Sequence, residues 1–339
     1  METEKVLVAM SGGVDSSVAA KLLTDAGFSC IGCTMKLYDN EDAGIPKANT
    51  CCSLDDVEDA RSVAYRLGMP YYVFNLKDKF AECVIDRFVD AYEHGITPNP
   101  CIDCNRYLKF DKLFERADIM GCRYIATGHY ARIEREGEKY VLKKALDETK
   151  DQSYVLYDLT QEKLARVKFP LGTFHKTDAR EIAAEAGLCN ARKHDSQDIC
   201  FVPDGDYAGF IEGWCRTRCC EGEAPCVPLA VAAEGGPRSA PTGSGSVAAS
   251  VATAFEPGEI VNREGRVLGE HAGLIRYTIG QRKGIGVAAR EPLYVLGKDA
   301  SANRLVVGFK DELLSSGVVA CDVNLISGGV LEGPRKVQV

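Results

Sequence analysis

Apolar residues in the first 127 positions follow two alternating spacings. Short apolar runs, which are typical of buried strands, occupy residues 5–10, 28–35, 71–76 and 123–127. Between these runs apolar residues recur every three or four positions, as at Val14, Val18 and Leu22, and this spacing predicts amphipathic helices. Strands that alternate with helices favour βαβ units. We therefore predict an α/β fold with a doubly wound, mostly parallel sheet.

The pattern changes beyond a further amphipathic helix that is predicted over residues 177–188. Residues 224–254 contain 21 Ala, Gly, Ser or Pro and no aromatic residue, so we interpret this stretch as a flexible linker or insertion. Short apolar runs between Gly-rich turns follow, and they predict a small antiparallel β domain. These runs occupy residues 258–262, 274–279, 293–296, 305–309 and 317–323. Because residues 336–339 resemble the middle of a strand, we expect an incomplete C-terminal β-barrel.

The charge balance bears on the class of partner. The 339 residues carry 41 Lys+Arg against 49 Asp+Glu, a net charge of −8, which at first argues against a nucleic-acid partner. Residues 263–310 reverse this balance with nine Lys or Arg against four Asp or Glu, and their segment 281–284 is predicted to contact phosphates. The sequence has no apolar stretch of about 18 residues and no recognisable signal peptide, so we expect a cytoplasmic protein without a membrane span.

Fifteen cysteines are many for this length, and their number is odd. Without a secretion signal they indicate a reduced compartment, with some catalytic or metal-binding thiols. Cys101 and Cys104 form a CxxC ahead of a predicted helix, whose N-terminus would lower a thiol pKa. Cys200 stands about a hundred residues later. Taken alone, each of these cysteines would more often be a small buried hydrophobic residue than a functional thiol.

The segment 11–17, SGGVDSS, lies between the first strand and the first helix. Gly12 and Gly13 allow backbone N–H groups to approach an anion, and the following helix points its positive end there. Asp15 is suited to orient either a Mg²⁺ ion or the loop itself. The segment therefore predicts a phosphate site, although neither GxxxxGK[ST] nor GxGxxG is present.

This loop resembles the pyrophosphate loop of the ATP pyrophosphatases, which split ATP into AMP and pyrophosphate. Five further motifs narrow the resemblance. They are TPNPCIDCNRYLKF (97–110), ATGHYAR (126–132), KDQSYVLY (150–157), DSQDICF (195–201) and IGQRKGIG (279–286). In this order, and with SGGVDSS, they resemble the bacterial tRNA-uridine 2-sulfurtransferases of the MnmA family from about residue 4 to residue 339, except for the linker-like stretch.

The resemblance implies an ATP site, used with Mg²⁺, at which the C2 oxygen of tRNA wobble uridine 34 is adenylated. The implied ATP-binding residues are Ala9, Met10, Ser11, Gly12, Gly13, Val14, Asp15, Ser16, Met35 and Gly128. The implied contacts with the target base and tRNA are Asn99, Pro100, Cys101, His129, Lys150, Asp151 and Gln152. The resemblance also implies tRNAs of the Lys, Glu and Gln type, a cysteine desulfurase or small relay protein as sulfur donor, and a monomer.

For the chemistry, the resemblance implies that Cys200 carries a persulfide and that Cys104 attacks it or closes a transient disulfide with Cys200 as AMP leaves. One departure keeps a second mechanism open, since many family members have Asp where Cys101 stands. Three thiols can ligate a [4Fe–4S] cluster and leave one iron open for sulfide. We favour the persulfide because it needs only Cys104 and Cys200.

Two other functions remain as alternatives. Another adenylating synthetase with the same loop would need no paired cysteines, and a non-catalytic iron–sulfur or zinc protein that binds RNA would not need SGGVDSS. Cys30 and Cys33 are predicted to be core residues on opposite faces of a strand. The roles of Cys51, Cys52 and the group Cys215, Cys219, Cys220 and Cys226, whose spacing is irregular for zinc, stay open.

These patterns divide the chain into five segments. We predict an ATP-binding and catalytic domain over 1–160, the remainder of the catalytic region with Cys200 over 161–222, and the linker over 223–256. A small central β domain is predicted over 257–290, and the start of the incomplete barrel over 291–339.

Overall fold

The computed structural model describes residues 3–38, 54–193, 199–221, 254–326, 329 and 333–337. The chain forms two compact units that interleave along the sequence. Unit 1 comprises residues 1–84, 100–203 and 321–339, and unit 2 comprises residues 85–99 and 204–320. No helix within the described ranges combines the length and apolarity that a membrane span requires.

The described residues of unit 1 include seven strands. They are β1 Lys5–Ala9, β2 Ser29–Lys36, β3 Tyr71–Asn75, β4 Tyr124–Ala126, β5 Ala131–Glu136, β6 Lys139–Lys144 and β7 Val167–Lys168. Five of them form a wholly parallel sheet in the order β3-β2-β1-β4-β7, and β5 pairs with β6 as an antiparallel hairpin. The predicted α/β fold with a parallel sheet is confirmed. The apolar pattern did not predict the hairpin or the two-residue strand β7.

Helices connect these strands, and several of them are short. They are α1 Val14–Asp25, α2 Leu54–Arg66, α3 Lys77–Phe80, α4 Asp86–Glu93 (in unit 2), α5 Pro100–Asp103, α6 Leu113–Ile119, α7 Gln161–Leu164 and α8 Lys176–Glu185. Segments Ala81–Ile85 and Cys104–Lys112 are π-helical, and Ser153–Val155 and Pro170–Thr173 are 3₁₀ turns. The helix expected over 177–188 is α8, which ends three residues earlier.

The central strand β1 is buried on both faces. Val6 and Val8 belong to the core cluster on one side of the sheet, and Leu7 belongs to the cluster on the other side. All three side chains are fully buried. Helices cover both faces of a parallel sheet, and this is why β1 reads as an uninterrupted apolar run.

Unit 2 combines α4 with the fifteen-residue helix α9, Tyr207–Glu221, and a four-stranded sheet. Its strands are β8 Gly258–Val261, β9 Val267–His271, β10 Tyr294–Asp299 and β11 Arg304–Gly308, in the order β10-β11-β8-β9. The sheet is mixed rather than wholly antiparallel, because β11 runs parallel to β8. One sheet therefore spans the predicted boundary between residues 290 and 291.

Two apolar runs of this region do not form strands. The run at 274–279 begins with the 3₁₀ turn Leu274–Arg276, which follows Gly273 in a left-handed conformation, and residues 317–323 contain neither helix nor strand. Another 3₁₀ turn, Lys310–Leu313, follows β11. Most of the predicted linker, residues 222–253, lies outside the described residues.

A buried lysine in unit 2 makes the stability of this unit dependent on pH. The Nζ of Lys298 is buried, has no hydrogen-bond partner among the described residues, and lies 5.2 Å from the ring centroid of Tyr92. Burial lowers the pKa of Lys298 to about 8. Because the unfolded chain keeps the higher, ordinary pKa, the charged lysine destabilises the folded state below about pH 8, and this penalty disappears as the pH rises towards 10.5.

Replacing Lys298 by methionine is therefore expected to raise the melting temperature at pH 7 by a few degrees, on the scale of about 2–4 °C per kcal/mol. The difference between Lys298→Met and wild type should shrink as the pH rises from 8 to 10. Calorimetric melts over this pH range measure it, with the exposed Lys310→Met as the matched control. A lower melting temperature for Lys298→Met at pH 7 would contradict the prediction.

Candidate active site

The predicted phosphate loop joins β1 to α1 at the carboxyl edge of the parallel sheet. Gly12 has a φ of 76°, and Gly13, the residue before α1, provides no side-chain cap for the first N–H groups of the helix. The Ser16 and Ser17 hydroxyls both donate to the Gly13 carbonyl over 3.1 Å, and the Ser11 N–H donates to Ser16 Oγ over 3.1 Å. The serines therefore close the loop on itself, and the uncapped N–H groups of α1 are available to an anion.

Two segments outside the phosphate loop pack against it: helix α2 and the chain around Asn190. A Cβ atom on Gly12 would come within 2.4 Å of the Asp56 carbonyl oxygen, so only glycine fits against α2. The Asn190 amide donates to the Gly12 carbonyl over 2.9 Å and to Ser17 Oγ over 2.8 Å. Asn190 is 2% exposed, and its Oδ1 has no hydrogen-bond partner among the described residues. Sequence reasoning missed Asn190, because it carries no motif and lies 178 residues from Gly12.

The segment that contains Asn190 is also fixed to α2. Lys193 Nζ lies 2.6 Å from a carboxylate oxygen of Asp56 and 2.6 Å from one of Asp59. Arg66 Nε donates to the Ala186 carbonyl over 2.8 Å. The chain that leads to Cys200 is therefore anchored to the phosphate loop and to its supporting helix.

The carboxylate of Asp15 is held by residues outside the loop. Lys176 Nζ lies 2.7 Å and 2.8 Å from its two oxygens, and the Tyr130 hydroxyl donates to Oδ1 over 2.9 Å. Both oxygens are thus engaged, so the carboxylate orients the loop and does not offer a ready Mg²⁺ ligand. Lys176 begins α8 and is 8% exposed. It was not among the predicted site residues.

Removing this cation is expected to damage the loop. Lys176→Met leaves the half-buried Asp15 carboxylate without its cation, which should cost about 1–3 kcal/mol of unfolding free energy and weaken ATP binding. Urea unfolding and equilibrium dialysis with ATP measure the two effects. Lys21→Met is the matched control, since Lys21 pairs with Asp25 at the other end of the same helix α1. Equal losses in both variants would show that the Lys176–Asp15 pair has no special role.

The two other predicted nucleotide residues lie at the same edge of the sheet. Met35 is the penultimate residue of β2, and Gly128 follows β4, so both flank the end of the central strand β1. A Cβ on Gly128 would come within 2.7 Å of the Ser16 backbone nitrogen. Gly128 thus packs directly against the first turn of α1. The loop residues, Met35 and Gly128 thus lie at the same carboxyl edge of the sheet, which is where open α/β sheets bind ligands.

The CxxC motif begins at α5, but its two thiols differ in exposure. Cys101 is exposed, whereas Cys104 is 7% exposed and begins the π-helical segment Cys104–Lys112. Burial raises the pKa of Cys104, and the nearby Lys109 opposes this shift. The lowered thiol pKa expected at a helix N-terminus is therefore wrong for Cys104, because desolvation outweighs the favourable charge. The Asn105 amide fixes this segment by donating to the Val155 carbonyl over 3.1 Å.

Cys200 lies in a tight turn. The Val202 N–H donates to the Ile199 carbonyl over 2.9 Å, and Cys200 is half-buried between them. Residues 194–198 of its motif lie outside the described residues. None of the ten cysteines whose side chains the structure describes forms a disulfide.

The other cysteines give a mixed outcome. Cys30 and Cys33 belong to core clusters on opposite faces of the sheet, as predicted. Cys215 is buried and donates to a Glu93 carboxylate oxygen over 3.7 Å. The remaining open cases, Cys51, Cys52 and Cys226 and the side chains of Cys219 and Cys220, lie outside the described residues.

The predicted tRNA contacts differ in exposure. Asn99 is exposed and Pro100 is buried. His129 is 7% exposed between Phe110 and Phe169, and its burial holds the imidazole pKa well below its usual value. A neutral histidine in this position offers no charge to a phosphate.

The segment 150–152 also has structural roles. The carboxylate of Asp151 accepts a hydrogen bond from the Ala145 N–H over 2.8 Å, and Gln152 Oε1 accepts one from the Tyr130 N–H over 2.9 Å. Lys150 is half-buried. Asp151 and Gln152 thus shape the loop that follows the β5–β6 hairpin.

A basic, Gly-rich loop in unit 2 lines a separate open cavity of about 670 Å³. Arg282 and Arg290 line it, and Lys283 beside them is exposed. Gly280, Gly284 and Gly286 all have positive φ, which gives the loop its sharp turns.

No group of three or more His, Cys, Asp or Glu side chains that is arranged to hold a metal ion occurs in the part of the chain that the structure describes. Cys101, Cys104 and Cys200 therefore do not form a ligand set for a [4Fe–4S] cluster here, and no zinc site is formed by the described cysteines.

Known protein families and proteins are similar to this chain over most of its length. Residues 4–204 match the family model described as the tRNA methyl transferase HUP domain, and residues 249–309 match the tRNA methyl transferase PRC-barrel domain. The chain is 44% identical over 334 residues to the tRNA-specific 2-thiouridylase MnmA of Clostridium acetobutylicum, covering 98% of this chain and 84% of that one. It is 46% identical over 327 residues to the MnmA of Geobacter metallireducens, covering 95% and 79% respectively.

A solved structure is related more distantly. A 4-thiouridine synthetase in complex with RNA and ATP is 18% identical and matches with a TM-score of 0.38, covering 65% of this chain and 53% of that one.

Proposed function

Because the chain belongs to the family of tRNA-specific 2-thiouridylases, we propose that it adenylates a tRNA uridine at its phosphate loop and delivers sulfur to C2 from Cys200. The protein is an ATP-dependent enzyme of tRNA 2-thiolation. The hydrogen bonds of Asn190 support this assignment, because they join the phosphate loop to the segment that leads to Cys200. The proposed residues for nucleotide binding and for sulfur delivery thus belong to connected parts of unit 1.

In the first step, the uridine O2 attacks the α-phosphorus of ATP and pyrophosphate leaves, so that C2 carries an AMP leaving group. The N–H groups at the start of α1 would bind the phosphates, with Gly12 allowing close approach. Lys176 and Tyr130 keep the Asp15 side chain fixed while charge moves on the phosphates. We propose that Met35 and Gly128 border the nucleoside.

In the second step, the terminal sulfur of a Cys200 persulfide attacks C2 and AMP leaves with the O2 oxygen. The Cys104 thiolate then attacks the Cys200 sulfur and releases the 2-thiouridine sulfur, which keeps the electron pair of the broken S–S bond. A Cys104–Cys200 disulfide forms, and an external dithiol must reduce it before the next cycle. Because burial raises the pKa of Cys104, its thiol must lose a proton before it attacks, and the departing 2-thiouridine sulfur can accept this proton.

A cluster-based route finds no support in the donor set, since the three thiols do not converge in the described residues. Cys101, exposed in the first turn of α5, is proposed instead to border the target base together with Asn99 and Pro100.

The proposed partners of the enzyme are a tRNA substrate and a sulfur donor. We propose the wobble uridine of tRNAs of the Lys, Glu and Gln type as substrate, with Arg282, Lys283 and Arg290 of the basic loop on the phosphate backbone. His129 and the segment 150–152 are proposed to contribute tRNA contacts. A cysteine desulfurase or relay protein supplies the sulfur to a monomer in the cytoplasm.

Pyrophosphate release from ATP tests the proposed function. We expect release to require tRNA with an unmodified wobble uridine and to fall to background with tRNA that already carries 2-thiouridine. Pre-thiolated tRNA is the matched control, because it keeps every other contact. Stimulation by a free small acid or amide instead of tRNA would identify a different adenylating synthetase.

A further inference from the structure

Tyr38 connects the end of β2 to the turn that carries Cys200. It lies two residues beyond β2 and is 5% exposed. Its hydroxyl donates a hydrogen bond to the backbone carbonyl of Cys200 over 2.6 Å. The chain just beyond β2, beside the proposed nucleotide site, is therefore hydrogen-bonded to the backbone of Cys200, the proposed sulfur carrier.

The position of the Tyr38 hydroxyl is fixed by aromatic packing. The ring centroids of Tyr38 and Phe80 lie 5.7 Å apart, and Phe80 meets Phe201 edge-to-face at 5.6 Å. Phe80 and Phe201 are each 1% exposed. Because Phe201 follows Cys200 directly, the aromatic cluster and the hydrogen bond hold the same turn at two adjacent points.

The Tyr38 bond acts inside the turn that carries Cys200. The Val202 N–H donates to the Ile199 carbonyl across this turn, and the Tyr38 hydroxyl donates to the Cys200 carbonyl between those two residues. Loss of this bond would let the peptide rotate and would move the sulfur relative to the nucleotide edge of the sheet.

We propose that Tyr38 is a positioning residue for sulfur transfer, which acts through the backbone of Cys200. The proposal rests on the proposed role of Cys200. Sulfur attack requires near-contact geometry at C2, where a displacement of about 1 Å is enough to slow a reaction by roughly 100-fold. Adenylation at the phosphate loop does not involve Cys200, so Tyr38 should influence the second step and leave the first unchanged.

Tyr38→Phe removes the hydroxyl and keeps the ring. In single-turnover reactions of persulfide-loaded enzyme, we expect thiolation to slow by about 10- to 100-fold while tRNA-dependent pyrophosphate release keeps its rate. The alkylation rate of Cys200 by iodoacetamide, measured by peptide mass spectrometry with Cys189 as internal reference, should change as well. Tyr124→Phe is the matched control, since its hydroxyl donates to Glu4 over 3.3 Å in the same unit.

The outcomes separate this proposal from the proposed function. A Tyr38→Phe enzyme with unchanged thiolation and unchanged Cys200 alkylation overturns the positioning role, even if Cys200 remains essential. An equal slowing of thiolation and pyrophosphate release, with a lower melting temperature, overturns it too, because a purely structural defect behaves so. Thiolation by a Cys200→Ser enzyme, in contrast, refutes the proposed function on which the positioning role rests.

Discussion

Cys200→Ser is expected to abolish tRNA thiolation, with a loss of at least about 1000-fold, while pyrophosphate release continues. A serine hydroxyl cannot hold the sulfane sulfur that a cysteine carries as a persulfide, so the second step loses its nucleophile. The first step uses the phosphate loop, which the substitution does not touch. Mass spectrometry of digested tRNA measures 2-thiouridine, and a coupled assay measures pyrophosphate.

Cys189→Ser is the matched control for this substitution. Cys189 is an exposed thiol in the same segment, whose Sγ contacts the Asp59 carbonyl at 3.7 Å. Its replacement should leave both steps intact. Equal thiolation by the Cys189 and Cys200 variants would remove Cys200 from the mechanism.

Gly12→Ala is expected to weaken ATP binding by at least about 100-fold. A non-glycine residue at a φ of 76° costs about 1–3 kcal/mol, and here the new methyl group would also meet the Asp56 carbonyl oxygen at 2.4 Å. Backbone atoms of a helix cannot yield as a flexible side chain can. The loop would have to move away from α2, and Asn190 would lose one of its two acceptors, the Gly12 carbonyl.

Gly13→Ala is the matched control for Gly12→Ala. Gly13 has an extended conformation with a φ of −85°, and a Cβ there would meet only Ser11 Oγ at 3.5 Å. Gly13→Ala should therefore bind ATP nearly as well as wild type in equilibrium dialysis. If both variants lost affinity equally, the collision with Asp56 would not be the cause.

The local parts of the site could be predicted from the sequence. The run at 5–10 predicts β1, because a strand buried on both faces is apolar throughout, and SGGVDSS predicts an anion site, because its glycines and the following helix are contiguous in the chain. Both features can be predicted because the residues that form them lie within about ten positions of one another in the sequence.

The supporting contacts could not be predicted in this way. Lys176 lies 161 residues from Asp15, and Asn190 lies 173 residues from Ser17, so neither contact leaves a periodic signal. The pKa of Cys104 was mispredicted for a related reason, since burial depends on tertiary packing and not on the CxxC motif. The parallel pairing of β8 with β11 likewise depends on how distant strands meet, which turn residues do not encode.

The interleaved units impose an order on folding during synthesis. The apolar face of α4 bears Phe88 and Tyr92, and its aromatic partners Tyr207 and Phe210 belong to a stretch of chain made more than a hundred residues later. At ordinary translation speeds of about 5–20 residues per second, this face remains exposed for roughly 6–24 s before its partners are synthesised. Unit 1 is likewise finished late, because Asn324 contacts the Tyr157 and Leu159 carbonyls from the far end of the chain. The nascent chain therefore exposes an aromatic surface for seconds, and chaperones bind surfaces of this kind.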